Sequence, residues 1–513
     1  MRIFSTASCL EIEDGHVMKQ YLIGIDIGTS GTKSVLFDTL GNVIASSTAE
    51  YPLSQPHNGW AEQDPEDWWR AAKKTLSTIT KKTADGKIVG IGLSGQMHSL
   101  VLLDDENNVI RPAILWCDQR TAEECREIEE RIGRERLIEI TANPALTGFT
   151  ASKLLWVQKN EPENFAKCAH ILLAKDYIRF KLTGEYATEV SDASGMQLLD
   201  VPKRQWSEEI CHALNIPLHL LAKVYESPDV TGYITKEAAE KTGLPAEIPV
   251  AGGGGDNAAS AIGTGVCSEG DAFTTIGTSG VVFAPTKAPI IDPEGRVHTF
   301  CAAVPGTWHV MGVTQAAGLS LNWFRTQLAK ELSYGEIDAL CEALPIGAEK
   351  LLYLPYLMGE RTPILDPNAR GVFFGLSAMH TKAHMARAVI EGVSYSLRDC
   401  LEILAEMKIS LFGMTLCGGG AKSPLWRQML SDVYGIPVTI LNSNEGAALG
   451  AAILGGCAAG VFSSVEEGCK ACIHGGTRIT PNTNAHAQYD RFYGIYRKIY
   501  PQLKNTFAEL KEI

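Results

Sequence analysis

Apolar residues at the start of the chain fall into short runs broken by Gly, Thr and Asp. They predict strands at 21–27, 33–38 and 43–49, with the turn residues of 38–42 (DTLGN) joining the last two. The period changes at Asp64. That residue is placed to cap a helix, Pro65 suits its first turn, and Trp68, Trp69, Ala72, Leu76 and Ile79 recur at helical spacing. Strands are predicted again at 88–93 and 99–103. Helices around 380–405 and 423–434 and a strand around 437–441 repeat the logic in the second half. Hairpins followed by strand–helix alternation imply mixed sheets covered by helices. The stretch 446–465 carries no charge and two G-x-x-x-G spacings (446/450 and 456/460). Gly and Ala dominate it, which favours a buried helix close to another backbone over a membrane span.

A repeat organises these elements. Gly28-Thr29-Ser30-Gly31, between two strand-like runs, returns as Gly277-Thr278-Ser279-Gly280 in the same setting, 249 residues later. A period near half the chain length predicts two similar domains facing each other across a cleft. Gly263 to Asp271 is the natural boundary.

Composition narrows the function classes. The 513 residues include 46 Lys+Arg against 59 Asp+Glu, a net charge of −13, and no Lys/Arg-rich block, which argues against nucleic acid as the partner. An anionic nucleotide would need local backbone donors and a metal ion. The thirteen cysteines are scattered, as suits a reducing compartment. Cys469 and Cys472 form one C-x-x-C near His474, without the second ligand pair of a zinc site. The first twenty residues contain acids and no apolar segment, unlike a secretory signal. The expectation is a cytoplasmic protein that does not enter a membrane.

Several residues can carry chemistry, each with a plainer structural alternative. GIGLSG (90–95) matches a dinucleotide-binding spacing, but a strand rather than a helix follows it, so that reading fails. The two GTSG turns offer glycine N–H groups and hydroxyls to phosphate, with Lys33 adding a charge; ordinary hairpin turns are the alternative. Asp26, inside an apolar strand, is costly unless it meets a cation or hydrogen-bond donors, so Mg²⁺ or local backbone is its expected partner. Asp256, after four glycines, is placed either to cap the following helix or to act as a general base. His98 is either a satisfied core histidine or a ligand contact. GGGAKS (418–423) opens a helix holding Trp426 and Arg427, where an adenosine group or a structural turn fits equally.

Ten ordered strings run almost the length of the chain. They are 21–33, WAEQDPEDWW (60–69), GQMH (95–98), FTASKLLW (149–156), DYIRFKLTGEYATEVSDASG (176–195), GGGDNAA (253–259), IGTSG (276–280), LPYLMGERTPILDP (354–367), GVFFGLS (371–377) and CGGGAKS (417–423). Together they resemble the FGGY carbohydrate kinases, and within that family the branch acting on D-xylulose. FTASKLLW and the stretch from GVFFGLS to ARAVIEG (386–392) are similar to the two family signatures.

The resemblance implies an α/β, two-domain actin-like ATPase (ribonuclease H-like) fold, a duplicated mixed sheet with helices and an interdomain cleft. An extension over 1–19, expected to be poorly ordered, would precede an N-terminal sugar-binding domain at 20–264. A C-terminal nucleotide-binding domain at 265–513 would end in a helical tail. The implied reaction is ATP-dependent phosphorylation of D-xylulose to D-xylulose 5-phosphate, with Asp256 as base and Asp26 as the essential acid that holds Mg²⁺. Gln96, Met97, His98, Asp256 and Asn257 would bind sugar. Thr29, Ser30, Lys33, Gly277, Thr278, Ser279, Gly318, Gly419 and Gly420 would bind ATP. Ribulose, glycerol or another polyol as substrate, and a non-catalytic actin-like ATPase module, remain as alternatives, and a homodimer is left open. Cys117 stands in LWCDQR where this branch commonly has Asn, which bears on the choice of ketose.

Overall fold

The computed structural model describes residues 12–13, 16–83, 86–442 and 445–512. Most of the 1–19 extension lies outside them; Ile12–Glu13 pairs with His16–Val17, and the first long strand begins at Lys19.

Two seven-stranded sheets carry the fold. In the first, Lys19–Ile27 lies between Gly31–Asp38, antiparallel, and Gly86–Gly95, parallel. Val43–Glu50 extends the antiparallel side; Pro249–Ala251 and Val230–Tyr233 extend the other. In the second, Phe273–Ile276 lies between Gly280–Thr286, antiparallel, and Met414–Cys417, parallel. Trp308–Thr314 extends one side, Val438–Ile440 and Thr477–Ile479 the other. Six strands thus repeat in the same order and sense, with a GTSG hairpin at the centre of each set. The internal repeat in the sequence is a duplicated sheet.

The central strands read as continuous apolar runs because both faces are covered. Leu22, Ile23, Ile25 and Ile27 are buried. The helix Pro65–Ile79 covers one face with Trp68, Trp69, Ala72, Leu76 and Ile79, and Asp64 caps it by accepting the Glu66 N–H at 2.9 Å. The helix Gly446–Ala458 covers the other face. It belongs to the second half of the sequence, yet it lies on the first sheet and on the helix Asp256–Gly263. It stops at Ala458, short of the uncharged stretch's end. A Cβ on Gly450 would stand 1.8 Å from Ala259 O, so the glycine spacing exists to bring two backbones together. No helix among the described residues is long and apolar enough to cross a membrane.

Candidate active site

Three parallel strand ends build the first half of the site. In register, Asp26 faces Ser94, and Ser94 faces Gly254. The chain therefore leaves these neighbouring strands as Gly28-Thr29, as Gln96-Met97-His98, and as Asp256-Asn257. The carboxyl ends of parallel strands are where open α/β sheets leave a crevice.

Asp256 is the first residue of the helix Asp256–Gly263. Its Oδ1 accepts the Asn257 N–H at 2.7 Å and the Asn257 side-chain amide at 2.9 Å, so part of the carboxylate does cap local backbone. Oδ2 takes no hydrogen bond from the described residues. Burial, and then the negative charge of Asp26, push the Asp256 carboxyl up to about 7. Asp26 Oδ1 is buried with no hydrogen-bond partner among the described residues. Burial raises its pKa, the Ser94 hydroxyl and the Lys33 ammonium oppose the rise, and Glu445 adds to it.

Met97 lies under Asp256: a Cβ on Gly255 would meet its Sδ at 3.0 Å, so the glycine lets the turn into Asp256 rest on the thioether. His98 has φ +67°, and its Nδ1 lies 2.9 Å from Gly195 O. Burial pushes its imidazole down to about 3, hence neutral. Phe149 packs against that ring at 4.8 Å between centroids, and Phe300 of the second half lies at 6.2 Å. Gln96 joins a polar chain. Its amide donates to Gln63 Oε1 at 3.1 Å, Thr29 Oγ1 donates to Gln96 Oε1 at 3.2 Å, and Trp116 Nε1 donates to Thr29 Oγ1 at 3.0 Å.

The second half of the site repeats the plan. The Gly277 N–H closes the hairpin on Ser279 O at 3.0 Å, and the Gly318 N–H, at the start of the helix Gly318–Leu328, donates to Gly277 O at 2.8 Å. Thr278 is exposed and Ser279 half-buried; neither hydroxyl is engaged by a described residue. Gly418, at φ +84°, sits against Ile276 O and leads into the exposed Gly419 and the half-buried Gly420. Trp426 packs inside, 1% exposed, with Nε1 donating to Ser394 Oγ at 3.0 Å; it is a core residue, not a surface for a base.

The structure therefore gathers Asp26, Thr29, Gln96, Met97, His98, Asp256 and Asn257 at one sheet's strand ends, and Gly277, Thr278, Ser279, Gly318, Gly419 and Gly420 at the other's. Ser30 is exposed on the first hairpin. Lys33 instead pairs with Glu445, 2.6 Å away and just ahead of the helix Gly446–Ala458, so its ammonium ties the first hairpin to the second half of the chain. Sequence reasoning assigned nothing to Lys153 or Arg361, although both lie in quoted strings. Lys153 is fully buried and donates to His98 O at 2.8 Å and Gly148 O at 2.7 Å. A lysine inside an amphipathic helix gives no hint of that from spacing alone.

A duplicated sheet with a GTSG hairpin at the centre of each copy narrows the fold to few families, and one comparison decides it. Residues 21–263 match the FGGY family of carbohydrate kinases, N-terminal domain, and residues 272–459 match its C-terminal domain. The chain belongs to the FGGY family of carbohydrate kinases. As an FGGY kinase it is an ATP-using sugar kinase. It is 44% identical over 496 residues to a xylulose kinase of Lactococcus lactis, covering 96% of this chain and 99% of the relative. Among solved structures it resembles a ligand-bound xylulose kinase of Lactobacillus acidophilus, at 30% identity and a TM-score of 0.92 over 96% of this chain and 100% of that one. A gluconate kinase of the same organism is similar at 29% identity and a TM-score of 0.92, again over 96% and 100%.

Proposed function

We propose that this FGGY kinase transfers the γ-phosphoryl group of ATP to the terminal hydroxyl of D-xylulose, giving ADP and D-xylulose 5-phosphate. The observation that carries the mechanism is Asp256, a carboxylate poised near neutrality where the chain leaves a parallel strand end of the first sheet, within reach of the charge of Asp26. A base with a pKa near the working pH both exists in its ionised form and retains proton affinity. Asp256 takes the hydroxyl proton as the sugar oxygen attacks the γ-phosphorus in line, and the bond from phosphorus to the ADP oxygen breaks. Phosphoryl transfer asks a protein mainly for position and charge neutralisation. The hairpin N–H groups with the Thr278 and Ser279 hydroxyls serve the phosphates, and Met97, His98, Gln96 and Asn257 orient the sugar.

Asp26 fits Mg²⁺ because its buried Oδ1 lacks a hydrogen-bond partner among the described residues, and a hard cation or its bound water suits such an oxygen. When bound, the ion supplies positive charge beside the phosphate oxygens. No cluster of three or more metal-ligating side chains occurs among the described residues, which accords with an ion carried largely by the nucleotide. Its use of ATP supports a cytoplasmic location, where that nucleotide pool lies. Closing of the halves around the sugar excludes water as a competing acceptor.

The test is a coupled ADP assay over D-xylulose, D-ribulose, glycerol and D-gluconate. D-xylulose should give the highest kcat/KM by at least tenfold. A higher value for any other member, or ADP release indifferent to sugar, would sink the reading.

A further inference from the structure

Arg361 lies in the second half, in the MGERTP segment, and its backbone is fixed to that half. Its N–H donates to Glu360 Oε1 at 2.8 Å. The next residue, Thr362, donates its N–H to Val313 O at 2.9 Å, accepts the Val313 N–H at 3.0 Å, and donates its hydroxyl to Arg296 O at 2.8 Å. From this anchor the side chain runs toward the first half: its Nη2 stands 4.0 Å from where a Cβ on Gly148 would lie. Gly148 precedes Phe149, which packs on His98, and the charge of Arg361 bears on His98 and on His298.

The guanidinium makes no hydrogen bond or ion pair with any described residue. The nearest acid in sequence does not serve it: Glu360 turns inward, where Oε1 accepts from Gln315 N and Arg361 N and Oε2 from the Ser396 hydroxyl at 3.4 Å. The charge of Arg361 reaches the imidazoles of His98 and His298, both of which burial keeps neutral. A half-buried guanidinium offers five donors in a planar fork and no acceptor, and leaving them unused beside an apolar wall is costly. A ligand rich in acceptor oxygens resolves that arrangement.

We infer that Arg361 is a sugar-binding residue, delivered from the second half of the chain to hydroxyl or carbonyl oxygens of the ketose lying beside His98. The inference rests on the sugar-kinase reading and deepens it. Because the arginine is anchored on one half and the His98 wall on the other, its contact with sugar couples substrate recognition to the approach of the halves.

The experiment compares wild type with Arg361→Gln, Arg361→Lys and Arg361→Ala, using whichever sugar of the panel wild type turns over fastest. Failure of the xylulose reading thus shows in wild type and leaves the arginine test intact. A lost charge-assisted hydrogen bond corresponds to about 10- to 100-fold. The sugar KM should rise by that factor in Arg361→Gln, and less in Arg361→Lys, while the KM for ATP stays within about threefold. Guanidinium ion at millimolar concentration should partly restore Arg361→Ala. In thermal melts, the stabilisation of wild type by sugar should be lost in Arg361→Gln and that by ADP retained. An unchanged sugar KM, or a loss confined to the KM for ATP, overturns the inference. Failure of both Arg361→Gln and Arg361→Lys to fold would assign the arginine to the fold and overturn it too.

Discussion

Asp26 and Asp256 stand at the ends of two strands separated by a single one, with Ser94 in register between Asp26 and Gly254, and the charge of Asp26 helps hold the Asp256 carboxyl near 7. A general base works only when ionised, so kcat/KM should rise with pH through about 7. Asp26→Asn removes a negative neighbour and stabilises the ionised form of Asp256. The acid limb should therefore move to lower pH, alongside a fall in turnover. A pH profile of the residual activity checks the sign; a limb that stays or moves upward would contradict the pairing.

Asp256→Asn separates chemistry from binding and from stability. Turnover should fall by roughly 10²–10⁴-fold, with ATP affinity kept within a few-fold. The folded carboxyl titrates above its unfolded value near 3.8, so the folded state holds this proton more tightly. Its ionisation opposes folding as pH climbs from about 4, and the full cost is present above about 7. The neutral amide escapes that cost. Asp256→Asn should melt a few degrees above wild type at pH 8 and show little difference near pH 4, measured by scanning calorimetry.

The strands at 21–27, 33–38, 43–49 and 88–93 and the helix capped by Asp64 were legible because apolar period and turn chemistry agree there. The GTSG repeat exposed the duplication, since both copies keep the same strand–turn–strand setting. Less was legible where a residue's role depends on distant chain. The placing of Gly446–Ala458 on the first sheet is a tertiary fact that composition suggested only as closeness to some backbone. Lys33 read as a charge beside the first hairpin; that its ammonium meets Glu445, 412 residues away, could not be seen locally.

Lys153 holds the backbone of His98, in the proposed sugar site, in shape. Its ammonium and the Thr150 hydroxyl, at 3.2 Å, both donate to the carbonyl of His98, whose backbone is in the left-handed region. Burial pushes the amine down to about 7, against the pull of Asp118. Lys153→Met keeps the apolar stem but leaves His98 O with the Thr150 hydroxyl alone and strands the Gly148 carbonyl, at about 1–3 kcal/mol for the stranded group. The KM for sugar should rise at least fivefold and that for ATP little. Equal effects on both substrates would mark a general loss of structure instead.

The two helices Asp256–Gly263 and Gly446–Ala458 cross with backbone against backbone. A Cβ on Gly450 would lie 1.8 Å from Ala259 O, and one on Gly263 1.8 Å from Gly446 O; on the sheet side, a Cβ on Gly24 would lie 1.8 Å from Ala448 O. None of these atoms is the end of a flexible side chain, so only a shift of a whole helix makes room. Overpacking of this kind costs about 3 kcal/mol or more. Because the first helix begins with Asp256, the shift also displaces the proposed base. Gly450→Ala should lower the denaturation midpoint and kcat together. Gly494→Ala is the matched control: it lies exposed in the helix Thr483–Lys511 with nothing near its missing Cβ, and helix propensity alone should stabilise it by up to about 1 kcal/mol. Urea unfolding of the two variants, which change the same atoms in opposite surroundings, decides whether close backbone approach is what the glycines in 446–458 are for.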